Sequence, residues 1–172
     1  MYSPNTAPET PSEAALDPPG AGAPQAAHGD ERLVIQSRFG VLAISPHNAI
    51  NFSNGMLGFA DCHNFALAEL GDARFPQFKV LQCLDDHDLA FLVLPIDPEC
   101  GLIDAQDLGA ARTILEIDAG DFIVLLVATV RKDAEGPRIS ANLRAPLLID
   151  AGNHTGVQYI LPSERYPVRY PL

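Results

Sequence analysis

Tryptophan is absent from the 172 residues, and cysteine occurs three times, as Cys62, Cys83 and Cys100. These form no C-x-x-C pair, and an odd number cannot all pair off internally, so a reducing compartment is implied. Basic residues are scarce, at 11 Lys and Arg against 22 Asp and Glu, and the formal charge is −11. Such a surface repels phosphate and excludes direct nucleic-acid binding through a basic patch. It attracts a basic protein partner instead. Long hydrophobic runs are also missing. The longest, residues 122–130, is interrupted by Thr129, far short of the roughly 20 apolar residues of a helical membrane span. The N-terminus has neither the basic start and apolar run of a secretory signal nor the arginines of a transit peptide, so a cytoplasmic location is expected.

Residues 1–30 hold six prolines, seven alanines and three glycines, and among large apolar residues only Met1, Tyr2 and Leu16. Such a stretch cannot bury enough apolar surface to offset backbone ordering, about 1–2 kcal/mol per residue, and reads as a disordered extension. Its four carboxylates account for −4 of the charge and leave −7 for residues 31–172, a length that suits one domain.

From residue 31 short apolar runs alternate with turn residues. Residues 33–35 and 41–44 read as strands joined at Phe39-Gly40. Ile50 and Phe52 alternate across Asn51. Further strands are expected around 65–70, 78–83, 89–94 (ending at Pro95), 122–130, 139–143, 147–149 and 157–161. Asn153-His154-Thr155-Gly156 is a hairpin signal between the last two. Only between Asp104 and Glu116 do apolar residues (Leu108, Ala111, Leu115) recur at helical spacing, with Asp104 placed to cap the helix. The expected fold is all-β and mostly antiparallel: a small barrel of about nine or ten short strands with one short helical insertion.

The search for chemistry returns little. Asp85-Asp86-His87-Asp88 holds three carboxylates and an imidazole, yet lacks the glycine and distal glutamate of an EF-hand, and four adjacent side chains cannot all reach one ion. An acidic turn is the simpler reading. The five histidines show no zinc spacing. Gly55-Met56-Leu57-Gly58 is followed by no Lys or Ser/Thr, so it is no phosphate loop. No local signature supports Cys83 as a nucleophile. No enzyme, metal or cofactor is expected. A small-molecule-binding barrel and an enzyme built on Cys83 are the competing classes.

The order of the segments carries more. Phe39-Gly40, Ile50-Asn51-Phe52, Gly55-Met56-Leu57-Gly58-Phe59 and Phe65-Ala66-Leu67 resemble the opening of the flagellar assembly factor FliW family. Leu81-Gln82-Cys83-Leu84-Asp85-Asp86 and Leu89-Ala90-Phe91, closed by Pro95, are similar to its central signature. Asn142-Leu143-Arg144-Ala145-Pro146-Leu147-Leu148-Ile149 and Gly156-Val157-Gln158 resemble its C-terminal one. Leu57, Ala60, Cys83 and Asp150 stand where the family more often has proline, an acidic residue, serine and asparagine. The resemblance covers about residues 33–172. It implies a β-barrel without catalysis that binds the helical ends of flagellin and the RNA-binding repressor CsrA, the two competing for it.

Such a role needs a negative surface for a basic regulator and an apolar contact for an amphipathic helix. Asp85, Asp86 and Asp88 are the candidates for the first, and Met56, Leu57 and Phe59 for the second. Gln82, polar on an apolar strand, either pairs inside the barrel or faces a partner. Gly55 and Gly58 are assigned to backbone conformation, Asn142 and Pro146 to a structural role at a bulge. A monomer is expected.

Overall fold

The structure, a computed structural model, describes residues 32–134 and 136–172. The extension at 1–30 lies outside the described residues. Among the described residues, eleven strands and one α-helix follow one another: β1 (Leu33–Ser37), β2 (Gly40–Ile44), β3 (Ile50–Asn51), β4 (Asn64–Glu69), β5 (Lys79–Cys83), β6 (Ala90–Ile96), α1 (Ala105–Ile114), β7 (Phe122–Asp133), β8 (Gly136–Ala141), β9 (Leu147–Asp150), β10 (Thr155–Gln158) and β11 (Tyr170–Pro171).

Seven strands close into a mixed barrel in the order β7-β6-β5-β4-β3-β10-β9, with β9 returning to β7. Every pairing in it is antiparallel except β3 with β10, which run parallel at Asn51 and Thr155. β7 makes closure possible through its length. Residues Val124 to Ala128 pair with β6 on one side, while on the other Phe122 to Leu125 pair with β9 and Ala128 to Asp133 with β8. β7, β8 and β11 therefore continue as an arm beyond the barrel.

The interior is filled by Phe52, Met56, Phe65, Leu81, Cys83, Val93, Leu125, Leu147 and Ile149. Phe52 and Phe65 meet edge-on with ring centroids 5.3 Å apart. A seven-stranded barrel is narrow enough for side chains alone to fill it, and these occupy the space that a ligand-binding barrel leaves open. Outside, the β1–β2 hairpin lays Ile35, Leu42 and Ile44 over Ala66, Ala68, Val80 and Ala90. The small alanines let it approach closely. On the opposite flank, Leu108 and Ala111 of α1 cover Val124, Leu126 and Leu148. With barrel on one face and helix on the other, β7 needs apolar residues on both, which explains its unbroken run from 122 to 128.

Asp104 caps α1, its carboxylate accepting from Gln106 N–H at 2.8 Å. The helix is tied to the C-terminal segment by Tyr166, whose hydroxyl donates to Asp107 (2.6 Å), and by Arg165, which bonds Asp107 at 2.9 Å and Asp104 at 3.1 Å.

The expected strand ends shift in places. β6 does not stop at Pro95 but runs to Ile96, with Pro95 in register with Leu125. β5 reaches no further than Lys79 opposite Val93, so beyond that point β6 is paired on one side only, where a missing N–H is tolerated. β8 ends at Ala141 because the Asn142 side-chain oxygen turns the chain, accepting from Arg144 and Ala145 N–H groups. β10 begins at Thr155 and ends at Gln158, earlier on both counts than its apolar residues suggest.

Candidate functional site

Two loops meet at one end of the barrel. The first follows β3. Phe52 N–H donates to His63 C=O (2.7 Å) and Gly55 N–H to Phe52 C=O (2.8 Å), drawing residues 52–63 into a compact loop. Within it Met56 and Phe59 exchange both backbone hydrogen bonds across a two-residue turn. Gly55 (φ +64°) and Gly58 (φ +87°) supply the left-handed conformations the turn requires. The turn sorts its apolar residues: Met56 is buried beside Phe52, while Leu57 is 57% and Phe59 41% exposed. Leu57 N–H is held by the Gln158 side-chain oxygen at 2.9 Å. The Phe59 ring packs edge-on against Phe91 at 5.5 Å.

The second loop joins β5 to β6 and holds Asp85, Asp86, His87 and Asp88, all exposed. Gln82 anchors it. Its side chain is fully buried, and its Nε2 lies 3.0 Å from each of the Cys83, His87 and Leu89 carbonyls, while its Oε1 has no hydrogen-bond partner. Gln82 thus faces the protein rather than a partner, and orders the backbone that displays the carboxylates.

Asp85 joins the loops. It accepts from His63 N–H (2.7 Å), Asn64 N–H (2.8 Å) and Asn64 Nδ2 (3.0 Å). The hydrogen bond from the Asn64 side chain, followed by that from its backbone, lowers the Asp85 pKa below its ordinary value. A depressed folded-state pKa contributes stability that is present above the unfolded value, about 3.9, and lost as pH falls through the folded one. Asp85→Asn is therefore expected to cost about 1 kcal/mol near neutrality, with its denaturation midpoint converging on the parent's as pH falls through the lowered folded-state value. A gap that persists unchanged into acid would remove the charge-based account.

Asp86 accepts from Asp88 N–H at 3.0 Å. The carboxylates of Asp88 and Asp61 have no hydrogen-bond partner among the described residues, and both residues are exposed. Asp61 lies two residues before His63 in the first loop and adds a fourth carboxylate to the surface. Nothing in the sequence marks Asp61, Phe91 or Gln158 as site residues. Asp61 stands alone in its loop, Phe91 looks like any strand residue, and Gln158 meets Leu57 only through a contact 101 residues apart.

Asn142 turns the chain after β8, and Pro146 is buried beside Ala145, whose carbonyl accepts from the Gln158 amide that also holds Leu57. Cys83 is buried in the barrel. Its neighbour Cys62 has a thiol pushed up to about 11 by burial and by a hydrogen bond with Cys83. A thiol held protonated is a poor nucleophile. Among the described residues, no three His, Cys, Asp or Glu side chains converge as metal ligands, and no helix is long and apolar enough to cross a membrane.

The barrel is filled by its own side chains, and its loops at one end expose two apolar side chains and four carboxylates. Residues 33–172 match the family model described as FliW protein, and the chain belongs to the FliW family, a family of non-enzymatic flagellar assembly factors. It is 34% identical over 140 residues to the flagellar assembly factor FliW of Thermoanaerobacter pseudethanolicus, covering 78% of this chain and 88% of that one. To the flagellar assembly factor FliW of Caldicellulosiruptor bescii it is 33% identical over 147 residues, covering 83% and 91%. The fold is also similar to a crystal structure of the flagellar assembly factor FliW, with a TM-score of 0.60 and 24% identity, covering 82% of this chain and 96% of that one.

Proposed function

We propose that this protein binds flagellin in the cytoplasm and, where the repressor CsrA is present, binds and antagonises it, so that flagellin synthesis follows secretion. The observation that carries the reading is the composite surface at one end of the barrel. Leu57 and Phe59 offer an apolar contact of the kind an amphipathic helix needs. Asp61, Asp85, Asp86 and Asp88 offer negative charge to a basic RNA-binding protein. Asp85 binds the first loop directly to the second, so a partner on either set crowds the other, which gives competition a steric basis.

Titration calorimetry with flagellin from the same organism tests this. Binding at micromolar concentration or tighter is expected, abolished when the terminal helices of flagellin are removed. No heat at micromolar concentrations, or binding that survives helix removal, would overturn the flagellin assignment.

A further inference from the structure

The β6–β7 ladder stops two residues short of the first residue of β6. It ends at Leu92 opposite Ala128, although β7 continues for five more residues in register with β8. Among the described residues no strand pairs with 129–133 on the side facing β6. In an antiparallel ladder alternate residues direct their N–H and C=O groups to that side, so this stretch is an open strand edge. It borders two adjoining clefts of about 330 and 380 Å³ that share Phe39, Leu92 and Val130.

The arm has two unlike faces. On one, Val130 pairs with Ile139 and Lys132 with Pro137, and this face looks into the cleft walled by Phe39, Phe75 and Phe78. On the other, Thr129 pairs with Ser140, and Arg131 stands directly opposite Arg138. Arg38 lines the first cleft as well, whereas Arg74 in the second is paired with Asp72 at 2.7 Å. In a chain of net charge −11 with only 11 basic residues, this gathering gives the edge a sign opposite to the loops at 61 and 85–88.

We infer that residues 129–133 of β7 accept an added strand from a partner protein, an extended segment in which apolar and acidic residues alternate. Main-chain hydrogen bonds supply the affinity, and the period of two sends apolar side chains into the cleft beside Val130 and Ile139 and carboxylates over Arg131. A second copy of this chain fits poorly, because edge-to-edge pairing would set Arg131 and Lys132 against their own kind. The inference does not rest on flagellin or CsrA binding, although Phe91 lines the first cleft and also packs against Phe59 of the candidate site.

The test is fluorescence anisotropy with a fluorescein-labelled heptapeptide of alternating glutamate and valine. A control peptide has the same composition but groups the valines at one end. The alternating peptide is expected to bind, to lose about tenfold or more in affinity to Arg131→Glu, and to lose binding when alternate amides are N-methylated. Hydrogen exchange should show protection gained at 129–133, with the melting temperature of Arg131→Glu unchanged. Equal binding of the grouped peptide would reduce the effect to charge attraction and overturn the inference, as would protection elsewhere or no binding at all. Binding that requires removal of residues 1–31 would assign the edge to this chain's own N-terminal segment, overturning a partner as its occupant. Flagellin titrations on the same variant separate a failure here from a failure of the function proposed above.

Discussion

Gly55→Ala is expected to destabilise the protein by about 2–4 kcal/mol and to abolish presentation of Leu57 and Phe59. Two effects add. The residue has φ +64°, where a Cβ costs about 1–2 kcal/mol. A Cβ there would also lie 2.6 Å from the Phe59 carbonyl oxygen and 2.7 Å from that of Ala60. Those atoms are backbone and cannot rotate away. Phe59 C=O accepts from both Met56 and Cys62 N–H groups, so moving it breaks the turn that exposes the two apolar side chains. Gly58→Ala is the control. Its φ is +87°, yet nothing lies within 4 Å of the added Cβ, and the cost should stay near about 1–2 kcal/mol. Urea denaturation of both variants measures the difference. Since a domain of this size is stable by only about 5–15 kcal/mol, the Gly55 variant should show a clearly lowered midpoint and weakened flagellin binding. Equal midpoints for the two variants would mean that the loop relaxes and that steric closeness at Gly55 does not shape the site.

Much of this architecture is legible in the chain because local physics and tertiary packing agree. Of the alternating residues of β4, Phe65 fills the barrel and Ala66 and Ala68 face the hairpin, while Leu67 is exposed. The helical spacing of Leu108 and Ala111 became the buried face of α1, and Asp104 its cap. What the chain conceals is contact between distant segments. β3 and β10 pair in parallel through one residue of each, which no local pattern encodes. β11 is two residues long and exposed, so it has no buried face to impose a period. Gln82 could not be placed from sequence, because a buried amide and a partner-facing one look alike until three carbonyls are found around it. The candidate site was partly legible for the same reasons. Its carboxylates and glycines stand out, whereas the division between Met56 inside and Leu57 and Phe59 outside depends on a turn whose geometry only the folded chain reveals.

That division of roles decides how the acidic surface should be tested. Asp85 is unsuitable for charge reversal, since its carboxylate holds His63 and Asn64 and a lysine there would loosen both loops. Asp86 supports the turn through Asp88 N–H. Asp61 and Asp88 carry charge without structural duty, so the double variant Asp61→Lys/Asp88→Lys changes the field by four charges and leaves the fold in place. Binding to CsrA is expected to weaken on the order of thirtyfold at low ionic strength, and only a few-fold at about 0.5 M salt, because exposed charges are screened within a few ångströms there. The loss should appear chiefly in the association rate, as it does when steering charges at an interface rim are removed. Flagellin affinity should change little, since Leu57 and Phe59 are untouched. If affinity for CsrA is unchanged at low salt while the protein remains folded, the regulator does not approach this end of the barrel. If the loss is equally large at high salt, the two aspartates make direct contacts rather than steering the encounter.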